Sequence, residues 1–321
     1  MKVKTTLPHY PKFVQVSGLD SYQLNELKCS TPMLHDDASL VYLYCWQNNK
    51  KNLLVSKIGE RAYVYKTSPI IPGEYSKEII VTDQALSDID WSYIAKNVKS
   101  KRKTFNFIQP KADKQSINSS CRLLVSNMQS SNFIYNYDVM AHLEMQGSSY
   151  SYYRWVQHKF AKTYGDQIVV KIKDLDTTIN RDEYYELFED WYYFNTDGAK
   201  VNDNEEFAFN NIWDAGRFSK YGLSCIEVRF DGKLVGFAIV ERMDGWLLSH
   251  FQKANLNLSF INYFIFHETI KFASDIRSAI VCYTNDMGIT GLRQFKTNLK
   301  PDLIEPRLRI SVFNDQWQNM Q

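Results

Sequence analysis

The sequence predicts a mixed α/β (α+β) fold arranged as two domains, residues 1–163 and residues 164–321. The chain of 321 residues exceeds what one ordinary core requires and suits two domains of about 150 residues each. Hydrophobic residues make up 44% of it, which is enough to fill a core in each domain. Segments with the period of strands and segments with the period of helices alternate along both halves.

Strand and helix signals follow one another through the first half. Gly59-Glu60 separates two strand-like runs and predicts a hairpin, and Asp88 is placed to cap the helix after it. The apolar run Leu40–Trp46 is interpreted as a buried strand. In order, the predicted elements are a helix at Asp20–Leu27, strands at Leu40–Trp46, Asn52–Ile58 and Arg61–Thr67, a helix at Asp88–Val98, a strand at Lys103–Gln109, an antiparallel pair at Arg122–Asn127 and Asn132–Tyr137, and a helix pair or one kinked helix over Val139–Tyr164.

The second half has a clearer order of elements. Asn180 is placed to cap a helix, and Asp231-Gly232 between two alternating runs predicts a hairpin. The predicted order is a strand at Gln167–Lys173, helices at Arg181–Phe194 and Asn204–Tyr221, strands at Ser224–Phe230, Leu234–Arg242 and Trp246–Lys253, a helix at Phe260–Ala273, a strand at Ala279–Tyr283, a helix at Gly288–Lys296 and a strand at Leu303–Val312. This order resembles that of an acyltransferase domain of the GNAT type.

Net charge and cysteine content limit the kinds of partner and the cellular compartment that we expect for this protein. Residues 1–163 contain 21 Lys and Arg against 13 Asp and Glu, a net of +8, whereas residues 164–321 contain 17 against 23, a net of −6. A basic half can bind a polyanion, although ordinary surface charge also reaches this value. The five scattered cysteines form no C-x-x-C pair, and no apolar stretch approaches the roughly 18 residues of a membrane span. We therefore expect a soluble, cytoplasmic protein with reduced thiols.

An ordered set of segments carries a resemblance to a known family. The set comprises Phe133-Ile134-Tyr135-Asn136-Tyr137, then Leu143 and Gly147, an aromatic and basic helix at Tyr150–Tyr164, Gly236-Phe237-Ala238-Ile239, His250-Phe251-Gln252-Lys253-Ala254, Thr284-Asn285-Asp286-Met287-Gly288 and Gly291-Leu292-Arg293-Gln294-Phe295-Lys296. It resembles the DUF2156 family, which is similar to the C-terminal catalytic region of phosphatidylglycerol lysyltransferases. The resemblance covers about Ser39 to the C-terminus and is clearest from Ser224 to Pro301.

The resemblance implies two tandem GNAT-like domains with mixed central sheets, and transfer of an aminoacyl group from a charged tRNA. The sequence departs from the family pattern at three places: Tyr152-Tyr153-Arg154-Trp155 replaces a Lys-Arg-Asn core, Asn285-Asp286 replaces a longer Asn-Arg-Glu run, and Asn255–Phe260 lacks the expected glycine. A glycine-rich loop at a helix N-terminus lets backbone N–H groups approach a pyrophosphate. The glycine-free segment therefore disfavours acetyl-CoA as the donor.

Acyl transfer needs a deprotonated nucleophile, a stabilised oxyanion and a holder for the donor. The candidate catalytic residues are Asp286, to orient or deprotonate the acceptor, Lys253, to polarise the acyl carbonyl, and His250, as a base. The candidate substrate-binding residues are Arg293, Lys296, Asn285 and Arg154. Each group also has a structural alternative: a helix cap for Asp286, solvated lysines for Lys253 and Lys296, a surface ion pair for Arg293 and a core histidine for His250.

Basic residues interleaved with aromatic residues predict contacts with RNA phosphates and bases. The candidate nucleic-acid-binding residues are Lys99, Lys101, Arg102, Lys103 and Lys159; a solvated surface is the alternative. On the helix that carries Lys159, we expect the aromatic residues Tyr150, Tyr153, Trp155 and Phe160 to lie in the core. The six histidines show no metal-binding spacing, so we expect no metal site, and no cofactor is implied.

Three functions fit these observations. The leading hypothesis is an acyltransferase that takes an aminoacyl group from charged tRNA and passes it to an amine or hydroxyl on a small molecule or lipid head group. A second is an N-acyltransferase that uses acyl-CoA or a carrier-bound acyl group. A third is a non-catalytic GNAT-like module that binds RNA or protein, which the departures from the family pattern favour.

Overall fold

The computed structural model describes residues 6–29, 35–47, 53–59, 62–67, 77–82, 89–97, 102–108, 123–136, 147–175, 179–195, 203–286 and 288–313. The α-helices in these ranges are α1 (Ser21–Cys29), α2 (Leu40–Cys45), α3 (Trp91–Asn97), α4 (Ser151–Tyr164), α5 (Arg181–Asn195), α6 (Asp203–Ala215), α7 (Ile261–Asp275) and α8 (Thr290–Asn298). The strands are β1 (Val14–Gln15), β2 (Leu54–Ile58), β3 (Ala62–Thr67), β4 (Lys77–Thr82), β5 (Arg102–Ile108), β6 (Leu123–Asn136), β7 (Ile168–Asp174), β8 (Leu223–Phe230), β9 (Lys233–Arg242), β10 (Trp246–Ala254), β11 (Ile280–Tyr283) and β12 (Leu303–Phe313).

The chain forms two compact units. The first comprises residues 1–131 and 305–321, and the second comprises residues 132–304. Compactness defines these two units, whereas the domains expected from the sequence, residues 1–163 and 164–321, are stretches of chain that would each fold independently. That expectation stays a prediction. None of the described helices is both long enough and apolar enough to cross a membrane.

The first unit contains a mixed sheet in the order β1-β2-β3-β4-β5-β12. Its neighbours are antiparallel except for β4 and β5, which run parallel. The core on one side combines Val64, Ile80 and Phe105 of the sheet with Trp91 and Ile94 of α3. One face of the sheet can be buried in this way because alternate side chains of each strand point to the same face.

The second unit contains a mixed sheet in the order β6-β11-β10-β9-β8-β7. All neighbours are antiparallel except β10 and β11, which are parallel. Helices α4 and α7 cover one face, where Phe160 and Ile265 join Ala238 of β9 in one core. Helices α5 and α6 cover the other face, where Phe209 stacks on Phe237 of β9 at 5.7 Å. Successive residues of β9 therefore face different helical layers, as the pleat of a strand requires.

The two units repeat one sheet pattern. In each, three consecutive antiparallel strands are followed by one parallel pairing and then by an antiparallel strand. The sequence shows no repeat that would have predicted this shared strand pattern. The fold is mixed α/β with two mixed sheets, which confirms the predicted fold class.

Most predicted elements of the second half are confirmed, and turn chemistry explains why. Asp231 and Gly232 adopt positive φ values of 49° and 80° between β8 and β9, as a two-residue hairpin turn requires. Asn180 accepts a hydrogen bond from the Asp182 N–H at the start of α5. In the first half, Gly59 has φ of 61° in the predicted β2–β3 hairpin.

The predicted strand at Leu40–Trp46 is wrong, because this segment forms α2. The hydroxyl of Ser39 accepts a hydrogen bond from the Tyr42 N–H at 3.0 Å and caps the helix. All six residues of α2 are buried. A helix buried on every side has no polar stripe, so its sequence is the same continuous apolar run that a buried strand shows.

Three other predictions on helix and strand limits are corrected. The pair expected at 122–127 and 132–137 is the single strand β6. Asp88 lies outside the described residues, and it is Asp90 that accepts a hydrogen bond from the Tyr93 N–H in α3. The helix expected to reach Tyr221 ends at Ala215. Residues 139–146 of the predicted kinked helix also lie outside the described residues.

The last predicted strand exists, but its outer part belongs to the first unit. Residues Leu308–Phe313 of β12 pair antiparallel with Arg102–Phe107 of β5. The sequence order alone had assigned this strand to the C-terminal domain. Strand order along the chain does not specify which sheet a terminal strand joins.

Candidate functional site

The predicted site residues of the second half lie beyond the parallel pairing of β10 with β11 along each strand, or on α8. The two strands pair over Trp246–Ser249 and Ile280–Tyr283, and β10 continues to Ala254. His250 and Lys253 lie in that continuation, while Asn285 and Asp286 follow β11 directly. The carboxyl ends of parallel strands are where open α/β sheets bind ligands.

Lys253 is buried, so the alternative of a solvated lysine is wrong for it. Its side chain is 4% exposed, and its Nζ donates a hydrogen bond to Oε1 of Glu205, at the start of α6, at 2.8 Å. The ammonium also lies 3.2 Å from the ring centroid of Trp191 and 5.4 Å from that of Phe188, both on α5. Burial lowers the pKa of Lys253 below its usual 10.5, and the carboxylate of Glu205 acts in the opposite direction.

His250 is also buried and paired with a carboxylate. Its Nε2 lies 2.9 Å from Oε2 of Glu241 on β9, and both side chains are at most 3% exposed. The pairing of β10 with β9 shifts here, since Ser249 pairs with Val240 and Phe251 with Ile239. His250 is therefore the extra residue of a β-bulge, a device that redirects side chains near functional sites.

Asp286 and Arg293 form an ion pair between the end of β11 and α8. Nε of Arg293 donates to Oδ2 of Asp286 at 2.5 Å, and the Gly288 N–H donates to Oδ1 at 3.1 Å. Asp286 is fully buried, while the side chain of Arg293 is 47% exposed. Helix α8 begins at Thr290 after Ile289 as N-cap, so Asp286 is not its N-cap residue. The carboxylate instead holds the Arg293 guanidinium in place and raises the pKa of Arg293.

Lys296 lies on the inner side of α8 and is 4% exposed. Its ammonium donates hydrogen bonds to the carbonyl oxygens of Thr284 and Asn285, the latter at 3.2 Å. It also lies 5.7 Å from the ring centroid of Phe133. The solvated alternative is therefore wrong here too. Lys296 fixes the segment that carries Asp286, which is a positioning role.

A chain of hydrogen-bonded polar groups links β11, β10 and α7, and it was not predicted from the sequence. The Tyr283 hydroxyl donates to Oε1 of Gln252 at 3.0 Å. Nε2 of Gln252 in turn donates to the backbone carbonyl of Asn262 at 3.1 Å. Uncharged groups of this kind carry no sequence signal apart from Gln252 lying within the His-Phe-Gln-Lys-Ala segment. The chain connects the end of the strand pair to the first turn of α7.

The turn between β10 and α7 is tight although it contains no glycine. Phe260 precedes α7 with φ of 69°, a left-handed conformation that an L-residue adopts at a cost of roughly 1–2 kcal/mol. Backbone N–H groups of Leu258 and Ile261 donate to Asn255 and Leu258 carbonyl oxygens within the turn. The ring of Phe260 packs edge-on against Trp155 of α4 at 5.3 Å. A bulky ring thus occupies the position where a phosphate cradle would have glycine.

Helix α4 presents a basic, partly aromatic surface. Arg154 and Lys159 are exposed, and Arg154 donates to the Gly147 carbonyl at 2.7 Å. Tyr153 and Phe160 are buried as expected. Trp155 is 50% exposed, so the expectation that it lies in the core is wrong. Trp155 lies three residues before His158 and four before Lys159, so it is on the solvent side of the helix. The helical spacing of these polar residues could have indicated that position.

The basic run of the first unit is only partly described. Lys99 and Lys101 lie outside the described residues, and the side chain of Arg102 does too. The ammonium of Lys103 pairs with the carboxylate of Glu78, whose side chain is 4% exposed. Charge reversal at Lys103 would place two negative groups together, so we expect it to destabilise the first unit.

A buried carboxylate outside the predicted set, Glu227 of β8, organises the face of the sheet beneath α5. It accepts hydrogen bonds from Tyr184 at 2.5 Å, from Lys173 at 2.7 Å and from Arg229 at 2.9 Å. Burial alone would raise the pKa of Glu227, but these three donors lower it below its usual 4.5. A lone Glu inside the apolar run of β8 was the available sequence signal.

One group of metal-ligand type occurs among the described residues. The ligand atoms of His35, Asp36 and Asp37 lie within 4.8 Å of one another, and all three residues are buried. Nδ1 of His35 and Oδ1 of Asp36 both lie within hydrogen-bond distance of the Asp37 N–H, at 3.2 and 2.9 Å. The spacing patterns used on the sequence missed the group because the three residues are consecutive.

Comparison with solved structures shows likeness over nearly the whole chain. A conserved protein of unknown function from Bacteroides thetaiotaomicron VPI-5482 matches with a TM-score of 0.72 and 19% identity, covering 94% of this chain and 99% of that one. The C-terminal DUF2156 domain of a proposed lysylphosphatidylglycerol synthetase from Agrobacterium fabrum matches with a TM-score of 0.61 and 16% identity, covering 92% and 93%. L-PGS from Bacillus licheniformis matches with a TM-score of 0.59 and 9% identity, covering 92% of each chain.

In fold, the chain resembles the DUF2156 domain. This likeness confirms the resemblance that the ordered segments of the sequence indicated. No family model matches the sequence, and no curated protein matches it. The identities are low, so the likeness establishes the fold, and the reaction is argued from the site.

Proposed function

We propose that the protein is a cytoplasmic acyltransferase that takes an aminoacyl group from a charged tRNA and passes it to an amine or hydroxyl acceptor. The acceptor is a small molecule or a lipid head group. The DUF2156-like fold over more than nine-tenths of the chain supports acyl transfer. The resemblance of the ordered sequence segments supports an aminoacyl-tRNA as the donor.

The glycine-free turn before α7 is the observation that carries the choice of donor. Phe260 fills the left-handed position, and its ring packs against Trp155. A diphosphate bound there would need close approach to backbone N–H groups, which a phenylalanine at this position obstructs. An aminoacylated RNA end needs no diphosphate cradle and calls instead for cations and aromatic faces.

In the proposed reaction, the acceptor nitrogen or oxygen attacks the carbonyl carbon of the aminoacyl ester. The bond to the ribose oxygen of the tRNA then breaks, and the proton lost by the acceptor passes to that oxygen. Asp286, which is fully buried, acts by holding Arg293 in place, and Arg293 pairs with a phosphate or carboxylate of the substrates. Lys253 is the group proposed to polarise the acyl carbonyl, and His250 is proposed as a second candidate base.

Binding of charged and uncharged tRNA in filter-binding titrations at several salt concentrations tests this proposal. We expect binding at low salt that weakens as salt rises, because phosphate contacts release counterions. Calorimetric titration with acetyl-CoA is the companion measurement, and we expect a Kd weaker than about 10 μM, which corresponds to roughly −7 kcal/mol. No tRNA binding at low salt together with tight acetyl-CoA binding would replace the proposed donor with an acyl-CoA.

A further inference from the structure

Helix α4 carries an exposed stripe of two aromatic residues followed by two lysines. Tyr152, Trp155, Lys159 and Lys162 are spaced by three, four and three residues, so they lie on one side of the helix. Tyr152 and Trp155 are each 50% exposed. An adjacent side of the helix, which includes Tyr153 and Phe160, is buried in the core. The stripe therefore contributes little to the core of the second unit.

The aromatic part of the stripe is a cluster of rings that contact one another. The rings of Tyr152 and Trp155 stack at 5.8 Å with an interplanar angle of 29°. Phe260 meets Trp155 edge-on at 5.3 Å, and Tyr263 of α7 meets Tyr152 edge-on at 6.0 Å. Phe295 of α8 extends the cluster by an edge contact to Tyr263 at 5.3 Å. Ring pairs with such geometry hold one another in place.

The helix beneath this surface is firmly attached to α7. Nε2 of Gln157 donates to the Tyr263 carbonyl at 2.8 Å. Phe160 stacks on Phe264 with ring centroids 4.5 Å apart. Both contacts lie on the inner side of α4, so the exposed rings are presented by a fixed element.

The charged side chains exposed on this surface itself are basic. The three segments that meet there, residues 148–165, 254–267 and 288–301, contain no Asp or Glu, and the nearest acidic residues in the sequence flank them at Asp166, Glu268, Asp286 and Asp302. Arg154, Lys159, Lys162 and Lys300 are exposed in these segments. Such a surface is complementary to a polyanion. The exposed residues of α4 include no aliphatic residue larger than alanine, which is unlike the apolar face that a helix inserts into a membrane.

We infer that Tyr152 and Trp155, with Lys159 and Lys162, form a stacking platform for the single-stranded 3′ end of an RNA. The aromatic faces stack on bases and the lysines bind the phosphates that connect them. The platform adjoins the candidate site, because Tyr263 follows Asn262, whose carbonyl receives the hydrogen bond from Gln252 of β10. The identification of this RNA as the acceptor end of a tRNA rests on the proposed function.

The test uses the full chain and a synthetic RNA hairpin with a four-nucleotide 3′ overhang ending in 2-aminopurine. We expect the wild type to bind this probe and change its fluorescence. Trp155→Leu should lower the affinity about tenfold or more, and Trp155→Phe should retain most of it, because a ring of any kind stacks on a base. Phe207→Leu is the matched control, since Phe207 on α6 is also exposed, at 42%, but lies outside the platform.

The lysines are tested through the salt dependence of the same binding. The double variant Lys159→Gln with Lys162→Gln should reduce the slope of log affinity against log salt by about 1.4, as expected for two phosphate contacts to a single strand. Circular dichroism and the Tm of each variant establish that the fold is retained.

The outcomes separate this inference from the proposed function. Equal affinity of wild type and Trp155→Leu, or equal binding of a blunt hairpin, overturns the platform. So does binding to vesicles of anionic lipid that Trp155→Leu abolishes, without any binding of the RNA probe. Trp155-dependent binding of the overhang supports the platform even if no aminoacyl group is transferred, in which case the proposed reaction alone fails.

Discussion

Lys253 shows how a single residue can hold a positive charge inside the second unit. Its side chain is 4% exposed, and that of Glu205 is 17% exposed. Removal of one partner of a buried pair leaves an uncompensated charge, whereas an apolar residue of similar size in place of the deeper partner costs less. The two partners should therefore respond differently to substitution.

We expect Glu205→Gln to lower the free energy of unfolding by about 3 kcal/mol, because it leaves the Lys253 ammonium buried without its carboxylate. Lys253→Met should cost about 1 kcal/mol, since Glu205 can still reach water and methionine fills the space. Urea unfolding of both variants measures the two changes. A larger loss in Lys253→Met than in Glu205→Gln would contradict this order.

The lowered pKa of Lys253 also predicts a pH dependence. The unfolded chain keeps the lysine proton up to about its usual 10.5, whereas the folded protein releases it at lower pH. Unfolding in that window takes up a proton, so the free energy of unfolding rises with pH. The stability of the wild type relative to Lys253→Met should thus increase as the pH rises toward 10.5, the usual pKa of lysine. A constant or decreasing difference would show that Lys253 is not desolvated.

At the scale of elements, Gly236 sets how closely α7 packs on β9. A Cβ at this position would lie 2.6 Å from Cδ1 of Ile265 and 3.3 Å from Cδ1 of Ile261. Ile265 is fully buried, so its terminal carbon has little room to move. This contact places the first turn of α7, and with it Asn262, against β10.

We expect Gly236→Ala to destabilise the protein by about 1–3 kcal/mol through overpacking. Ile265→Val alone should cost about 1 kcal/mol, but it removes the carbon that meets the new methyl group. The double variant should therefore be more stable than the sum of the single changes implies, by roughly 1 kcal/mol. Denaturant unfolding of the four proteins gives this coupling, and strict additivity would contradict the contact.

Individual elements also show what the sequence can predict. The β8–β9 hairpin and α5 were predictable because Asp231-Gly232 and Asn180 have local chemistry that selects one backbone geometry. Helix α2 was not, since burial on all sides removes the periodicity. The bulge at His250 was not predictable either, because a register shift between two strands causes it, and local sequence preferences do not reveal such a shift. The pairing of His250 with Glu241 follows from that bulge and was equally hidden.

At the scale of the whole molecule, the two sheets repeat one strand pattern without any repeat in sequence. The core of each unit imposes only hydrophobic periodicity, which many different residues satisfy. The resemblance to DUF2156 was therefore clearest in the ordered segments from Ser224 to Pro301, and the fold comparison covers 92% of the chain. The positions of Lys253 and His250 late in β10, and of Asp286 directly after β11, were predictable from strand order, whereas the partners Glu205 and Glu241 were not.

The most direct test of the proposed reaction is the transfer of a labelled amino acid from charged tRNA. The purified protein is incubated with tRNA carrying labelled amino acids and with extracts of small molecules and lipids, and the label outside the RNA fraction is counted. We predict that label leaves the RNA and enters one acceptor fraction, and that Asp286→Asn, verified as folded, loses most of this activity because Arg293 is no longer held by a carboxylate. Label that stays on the tRNA with every amino acid and every extract, or equal transfer by Asp286→Asn, would contradict the proposed function.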